Sequence, residues 1–519
     1  MTWGATPQST AAAVSRRTFL LGGLAVAAGA SQPLAGGVPW GAGDPFTLGI
    51  ASGDPWPTGV VVWTRLAPEP LADDGRGGMP PRAVPVGWQV ARDPGFRRVA
   101  RSGTARAVPE RAHAVHVEVE GLAPGAEYFY RFRAGPYLSP AGRTRTAPSP
   151  LATPRARLAV ASCANYANGW YTAYRRIAEE DPDLVLFLGD YIYEYAAGPG
   201  DVRRVLGPVA STLDTYRLRY SQYKLDADLQ AAHRVAPWVV TLDDHEVQND
   251  WADDVGEHGS GGPAFLARRA AAFEAYYEHM PLRRASVPAG PSMQLYRRLD
   301  WGRLASFHVL DTRQYRSRLT CGQPRCEHVR NDPRRTITGA EQERWLLHGL
   351  ASSPATWQVL AQQVIFTYFD RAAGPATDFS GGDWNAYVAS RRRVIDGMVR
   401  GRVRNPVVLT GDAHQHLTSD LKLDFADPDS PVVGSEFVGT SISSGGDGSD
   451  QAEKLRQVLR ESPHIKFQSS RRGYLRCDLD AATWRTDIRV LPYVTRPGAP
   501  VRTAASFVIE DGHPGMHRA

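Results

Sequence analysis

Hydrophobic and polar positions follow two different rhythms along this chain, and the change falls near residue 150. Between residues 46 and 146 the apolar runs are short: Val60-Val61-Val62-Trp63, Val86 to Val90, Ala114 to Val119 and Tyr128 to Phe132, each closed by Pro/Gly turns. Short runs of β-branched and aromatic residues at this spacing predict a small β-sandwich over residues 44–146. Residues 147–156, rich in Pro, Ala, Ser and Thr, read as a linker. Beyond them, apolar runs alternate with longer helical stretches, which predicts an α/β layer domain over residues 157–510. The segment Arg268 to His279, carrying Phe273, Tyr276 and Tyr277, reads as a helix with an aromatic packing face.

Several apolar runs of the second domain end in side chains able to hold a metal. Leu158 to Ala161 runs into Cys163, and Leu184 to Leu188 into Asp190. Val239-Val240 runs into Asp243-Asp244-His245, and Val407 to Leu409 into Asp412 and His414. Open α/β sheets place their sites at the carboxyl ends of strands, so four such endings point to one centre. Like-charged carboxylates as close as Asp243 and Asp244 cannot both be buried ionised without a cation nearby. His245-Glu246 does not begin a zincin motif, because position 249 is Asn. A serine hydrolase is excluded by the lack of a Gly-x-Ser-x-Gly elbow, and the Ser/Gly-rich Thr440 to Gly448 reads as a loop near the site or a turn.

At 519 residues the chain is too long for one ordinary core, in keeping with two domains. Its 42% hydrophobic and 22% charged residues are those of a globular protein, and the net charge of +6 without a Lys/Arg tract argues against a specific nucleic-acid partner. Residues 1–30 stand apart: Arg16-Arg17 precede an apolar Gly/Ala-rich run ending in Ala28-Gly29-Ala30. This is the pattern of a twin-arginine signal peptide. It predicts the translocation machinery as a partner, no stable membrane anchor, and a periplasmic, cell-wall-associated or secreted destination. Cys321 and Cys326 flank a loop-like Gly-Gln-Pro-Arg and are expected to form a surface disulfide; a zinc knuckle would lack its second pair of ligands.

Taken in order, the clusters resemble the alkaline phosphatase D (PhoD-like) family of the metallophosphoesterase superfamily. The matches are Ser162-Cys163, Gly189-Asp190 with Tyr193, Asp243-Asp244-His245-Glu246 with Asn249-Asp250, Leu310-Asp311-Thr312-Arg313, Ala361-Gln362-Gln363, and Gly411-Asp412 with His414. Ahead of them, Gly121 to Arg131 is similar to the corner of a fibronectin type III module. The fold expected is therefore α/β, with an N-terminal fibronectin/Ig-like β-sandwich followed by a metallophosphoesterase-type α/β/β/α sandwich.

The resemblance implies a secreted, monomeric phosphoesterase acting on phosphate esters, whether small molecules, cell-wall polymers or phospholipid head groups, by metal-activated hydroxide. It implies Cys163, Asp190, Tyr193 and His414 as ligands of Fe3+, with Asp190 bridging to Ca2+ completed by Asp244 and Asp412. Gln363 stands where many relatives in the superfamily place a histidine. His245 is implied to steady the phosphate or protonate the leaving oxygen, against a structural role in its loop, and Asn249 to contact phosphate. Arg313 could pair with phosphate or with Asp311, and the structural pairing with Asp311 is the expectation preferred. A phospholipase D-like phosphodiesterase of the same family is the nearest alternative; a secreted binding protein with a decayed site is one of another class. The short Gly/Pro-rich tail after Val508 predicts that no C-terminal helix covers the site.

Overall fold

The computed structural model describes residues 43–319, 327–450 and 453–519. The twin-arginine segment and the Cys321/Cys326 pair lie outside the described residues. Among the described residues two large sheets, of ten and seven strands, lie face to face. At the centre of the first, Ala156–Ala161, Leu184–Leu188 and Trp238–Thr241 run parallel, with Val185 opposite both Ala159 and Trp238. The second is built on parallel Ala305–Val309, Trp357–Gln362, Pro406–Thr410 and Val432–Val438.

Alternation along the strands sorts their side chains between two layers. Leu158, Val160, Leu184, Leu186 and Leu188 of the first sheet meet Phe307, Val309, Val359, Val407 and Leu409 of the second in one buried core. The intervening residues Val185, Phe187, Trp238 and Val240 face outward beneath helices Thr172–Glu179, Leu213–Lys224, Ala227–Val235 and Pro263–His279. Leu213–Lys224 is buried on every side from Tyr216 onward, with Tyr216, Tyr220 and Tyr223 packed into this layer. The helix expected at Arg268 to His279 starts earlier, at Pro263, and buries Phe273, Tyr276 and Tyr277 as a packing face. Gly339–Ser352 and Val388–Arg400 cover the other sheet, completing an α/β/β/α arrangement.

The N-terminal strands form two layers whose facing side chains include Val60, Val62, Val86, Val90, Tyr130 and Phe132. One layer holds Val84–Ala91, Val99–Ala107 and Glu127–Ala134. The other, Ile50–Trp56, Gly59–Arg65 and Ala114–Glu120, continues the ten-stranded sheet, because Gly53 pairs in parallel with Trp238. No Cβ fits at Gly53: it would lie 2.5 Å from the Pro281 carbonyl oxygen and 2.7 Å from that of Trp238.

The tail after Val508 is not a loose end. His513–Arg518 pairs with Arg502–Glu510 as the edge strand of the ten-stranded sheet. Met516 N donates to Asp420 Oδ1 of the other sheet at 2.9 Å.

Candidate metal centre

Four strand ends bring the expected ligands together. Cys163, Asp190 and His414 offer donor atoms all within 4.8 Å of one another. So do Asp190, Asp244 and His245, and so do Asp190, Asp243, Asp244 and Asp412. Asp190 belongs to all three groups and sits at their junction. Tyr193 joins from the same loop: its hydroxyl lies 3.0 Å from Asp190 Oδ2 and 3.0 Å from His414 Nε2. The Ser/Gly-rich loop closes over it, with Ser444 Oγ 2.8 Å from both the Tyr193 hydroxyl and the Cys163 carbonyl oxygen.

The backbone is bent to achieve this. Cys163, Asp190, Asp412 and His414 all have left-handed φ, at 59°, 57°, 55° and 51°. Such a conformation is uncommon outside glycine and costs of order 1–3 kcal/mol for each residue. Gly189 (φ 102°) takes the tightest turn, since a Cβ there would meet Asp243 Cβ at 2.4 Å. Glu246 fastens the turn from below, accepting from Asp190 N at 3.0 Å, Asp243 N at 2.7 Å and Tyr191 N.

His245 and Asn249 lie on the same wall. His245 Nδ1 is 2.8 Å from Glu194 Oε2, and its ring stacks on Tyr193 at 4.0 Å between centroids. The other oxygen of Glu194 accepts from Asn249 N at 2.7 Å, and Asn249 Nδ2 donates to Glu257 at 3.0 Å. Glu246 was present in the motifs that pointed to the site, and Glu194 directly follows Tyr193. Periodicity gives no sign of either role, because both depend on which loops meet.

One expectation is corrected. Arg313 does not direct its guanidinium to Asp311, whose oxygens accept from Arg313 N, Gln314 N and Gln314 Nε2. Its guanidinium reaches into the acidic cluster instead, donating to Asp243 and lying 3.4 Å from Asp244 and 4.0 Å from Asp412. Gln363 is fully occupied with structure: Nε2 donates to Thr241 Oγ1 and to the carbonyls of Leu242 and Leu310, while Oε1 accepts from Thr312. Its amide hydrogens are all used in these structural bonds.

Charge on these groups is strongly perturbed. Burial, reinforced by neighbouring carboxylates, raises Asp190 well above the carboxylate range, Asp243 to about 7 and Asp412 to about 6. Burial also raises Glu246 to about 7. Burial opposes ionisation of Asp244 too, yet Arg313 and His245 hold it below the usual range. Burial and the Asp190 charge push both the Cys163 thiol and the Tyr193 phenol well up. Burial works against protonation of His245, but Asp244, Asp190 and Glu194 prevail and raise it, whereas burial and Arg472 bring His414 down to about 4. Asp243 Oδ2 and Asp244 Oδ1 are buried without a hydrogen-bond partner. Buried oxygens in that state, beside a thiol, a phenol and a neutral imidazole, are the donor set a cation satisfies. The residues present therefore fit a metal-dependent centre.

Comparison with known proteins agrees. The family model described as PhoD-like phosphatase matches residues 158–488, and that for the N-terminal domain of PhoD-like phosphatases matches residues 34–148. Alkaline phosphatase D of Bacillus subtilis (strain 168) is 50% identical over 483 residues, covering 91% of this chain and 82% of the relative. A solved structure of PhoD superposes with a TM-score of 0.89 at 49% identity, covering 93% of each chain. The purple acid phosphatase PPD1 from yellow lupin seeds shares the fold alone, with a TM-score of 0.54 at 15% identity over 89% of this chain and 73% of that one.

Proposed function

The chain belongs to the PhoD-like phosphatase family, and from that premise we propose that it is an exported phosphoesterase of the alkaline phosphatase D type working with ferric iron and calcium. The observation that carries the reading is the meeting of Cys163, Asp190 and His414 from separate strand ends. Cys163, Asp190, Tyr193 and His414 are assigned to Fe3+: neither the buried thiol nor the buried phenol ionises readily, and a trivalent cation compensates both anions best. Asp190, Asp244 and Asp412 are assigned to Ca2+, which prefers a set made of oxygens. Asp243, not among the ligands expected from the sequence, contributes to the same cluster while bound to Arg313.

Bound cations supply positive charge against the phosphate and make hydroxide available from water near neutral pH. The protein's own groups do the rest. Glu194 fixes the ring of His245 through Nδ1 and leaves its other nitrogen to meet a phosphate or leaving-group oxygen. Asn249, anchored through its backbone N–H and one amide hydrogen, keeps a second amide hydrogen for phosphate.

The twin-arginine pattern at Arg16-Arg17 supports export, as a monomer, to the periplasm, cell wall or medium. No helix among the described residues is long and apolar enough to cross a membrane. The test measures bound iron and calcium in the purified protein, then release of p-nitrophenol from mono- and bis-p-nitrophenyl phosphate before and after chelation. Iron and calcium at near-stoichiometric levels, with turnover lost on chelation and restored by both ions, is expected. Unchanged turnover in the chelated protein, or an inert protein with both ions bound, would overturn the proposal.

A further inference from the structure

A cavity of about 560 Å3 lies on the outer side of the seven-stranded sheet, and none of its lining residues belongs to the metal centre. Its volume falls in the range of small-molecule sites. One wall is aromatic. Tyr368, Phe379, Phe425 and His464 form a cluster with ring centroids 5.2 to 6.3 Å apart. Tyr368 and Phe425 are only half-buried, so ring surface remains open to the cavity.

The other wall is cationic. Arg391 and Arg392 come from helix Val388–Arg400, and Lys422 ends the strand His416–Lys422. Arg391 is buried and spends its hydrogen bonds on uncharged oxygens, Phe366 O at 3.2 Å and Asn385 Oδ1 at 2.8 Å, with its guanidinium 5.1 Å from the Phe425 ring centroid. Lys422 Nζ donates to the Pro428 carbonyl. Among the described residues neither forms an ion pair. Arg392 has Asp424 at 4.0 Å, and the remaining rim carboxylate, Glu461, is engaged by Gly374 N and Gln457. Arg391 and Lys422 therefore carry positive charge on this wall that no carboxylate neutralises at contact distance, beside an Arg392 paired only at 4.0 Å with Asp424.

Aromatic faces favour a planar partner, and a desolvated cation favours an anion. We infer that this cavity is a second ligand site, for an anion joined to a planar ring, separate from the centre that hydrolyses phosphate esters. Sulfate would satisfy the cations without covering the rings, and a neutral aromatic alcohol would do the reverse.

The test titrates the metal-loaded protein by calorimetry with naphthalene-2-sulfonate, which has the ring and the charge but no ester bond to cleave. Sulfate and naphthalene-2-methanol serve as comparison ligands. Saturable binding at one site is expected, stronger than either comparison ligand. It should weaken by about tenfold in Lys422→Glu and in Arg392→Glu, the loss of one charge-assisted hydrogen bond. Turnover of p-nitrophenyl phosphate should stay unchanged in both variants, which shows that they are folded. Absence of binding, binding that both variants leave intact, or binding matched by sulfate or the neutral alcohol overturns the inference.

Discussion

Glu194 holds both His245 Nδ1 and Asn249 N, so a single carboxylate sets the geometry of the two groups proposed to face the phosphate. Glu194→Gln keeps the shape but loses the charge that orients the ring. Steady-state kinetics should show kcat falling about 10- to 100-fold, as for other outer partners of metal sites, with iron and calcium content unchanged. Protonation supplies a second prediction. Asp243, Glu246 and Asp412 have folded pKa values raised, by burial first, to about 7, 7 and 6. A raised carboxyl binds its proton more tightly in the folded state, so stability falls as pH rises from its unfolded value near 4 through the folded one. His245, also raised, adds in the same direction; His414, lowered by burial to about 4, opposes it up to about pH 6.5, and Asp244, held below the usual range, acts only at lower pH. Buried histidines with lowered values add stability up to about pH 6.5, so the fall shows above it: thermal melts of the chelated protein should give a higher midpoint at pH 6.5 than at pH 8, and loading the metals should reduce that difference. That Cys163, Asp190 and His414 would gather at one centre was legible from residue type and strand ending, while their assignment with Tyr193 to iron came from the family resemblance. The partners of Arg313 were not, because its nearest carboxylate in sequence, Asp311, is already filled by backbone N–H groups and Gln314.

Elements act by aiming these residues. The turn after Leu184–Leu188 works only with glycine at 189, where an added Cβ would strike Asp243 at 2.4 Å. Gly189→Ala should displace Asp190 or Asp243, and metal analysis of the purified variant should show iron binding reduced well below that of the parent. The edge strand His513–Arg518 is tied to the second sheet through Met516 and Asp420, far along the sheet from Leu184–Leu188. Removing residues 511–519 should lower the denaturation midpoint by an amount corresponding to roughly 1–3 kcal/mol, from an exposed sheet edge and an unpaired Asp420, while turnover is retained. As expected, no helix forms in this segment; a strand forms instead. Gly and Pro lower the strand propensity of residues 513–515, but pairing to Arg502–Glu510 overrides it. The aromatic helix Pro263–His279 was legible because its spacing is local.

Across the whole molecule, two sheets press their apolar faces together and leave their strand ends to share one polar centre. Ions bound there stabilise the folded state by mass action, by about 4 kcal/mol at a thousandfold excess over Kd. Chelation should therefore lower the melting temperature as well as abolish turnover, and differential scanning calorimetry with and without chelator checks it. The sequence by itself determined the alternation of strands and helices, the kinds of donor atoms, and their order at strand ends, because hydrophobic period and residue type are written locally along the chain. Tertiary structure alone decided that Ile50–Trp56 and its neighbours extend the main sheet, that Cys163, Asp190, Asp412 and His414 take left-handed backbone, that Arg313 and Glu246 brace the acids, and that Glu194 holds His245 and Asn249. Those outcomes depend on which distant loops come within hydrogen-bonding distance once the strands are in register, and no periodicity in the chain encodes that.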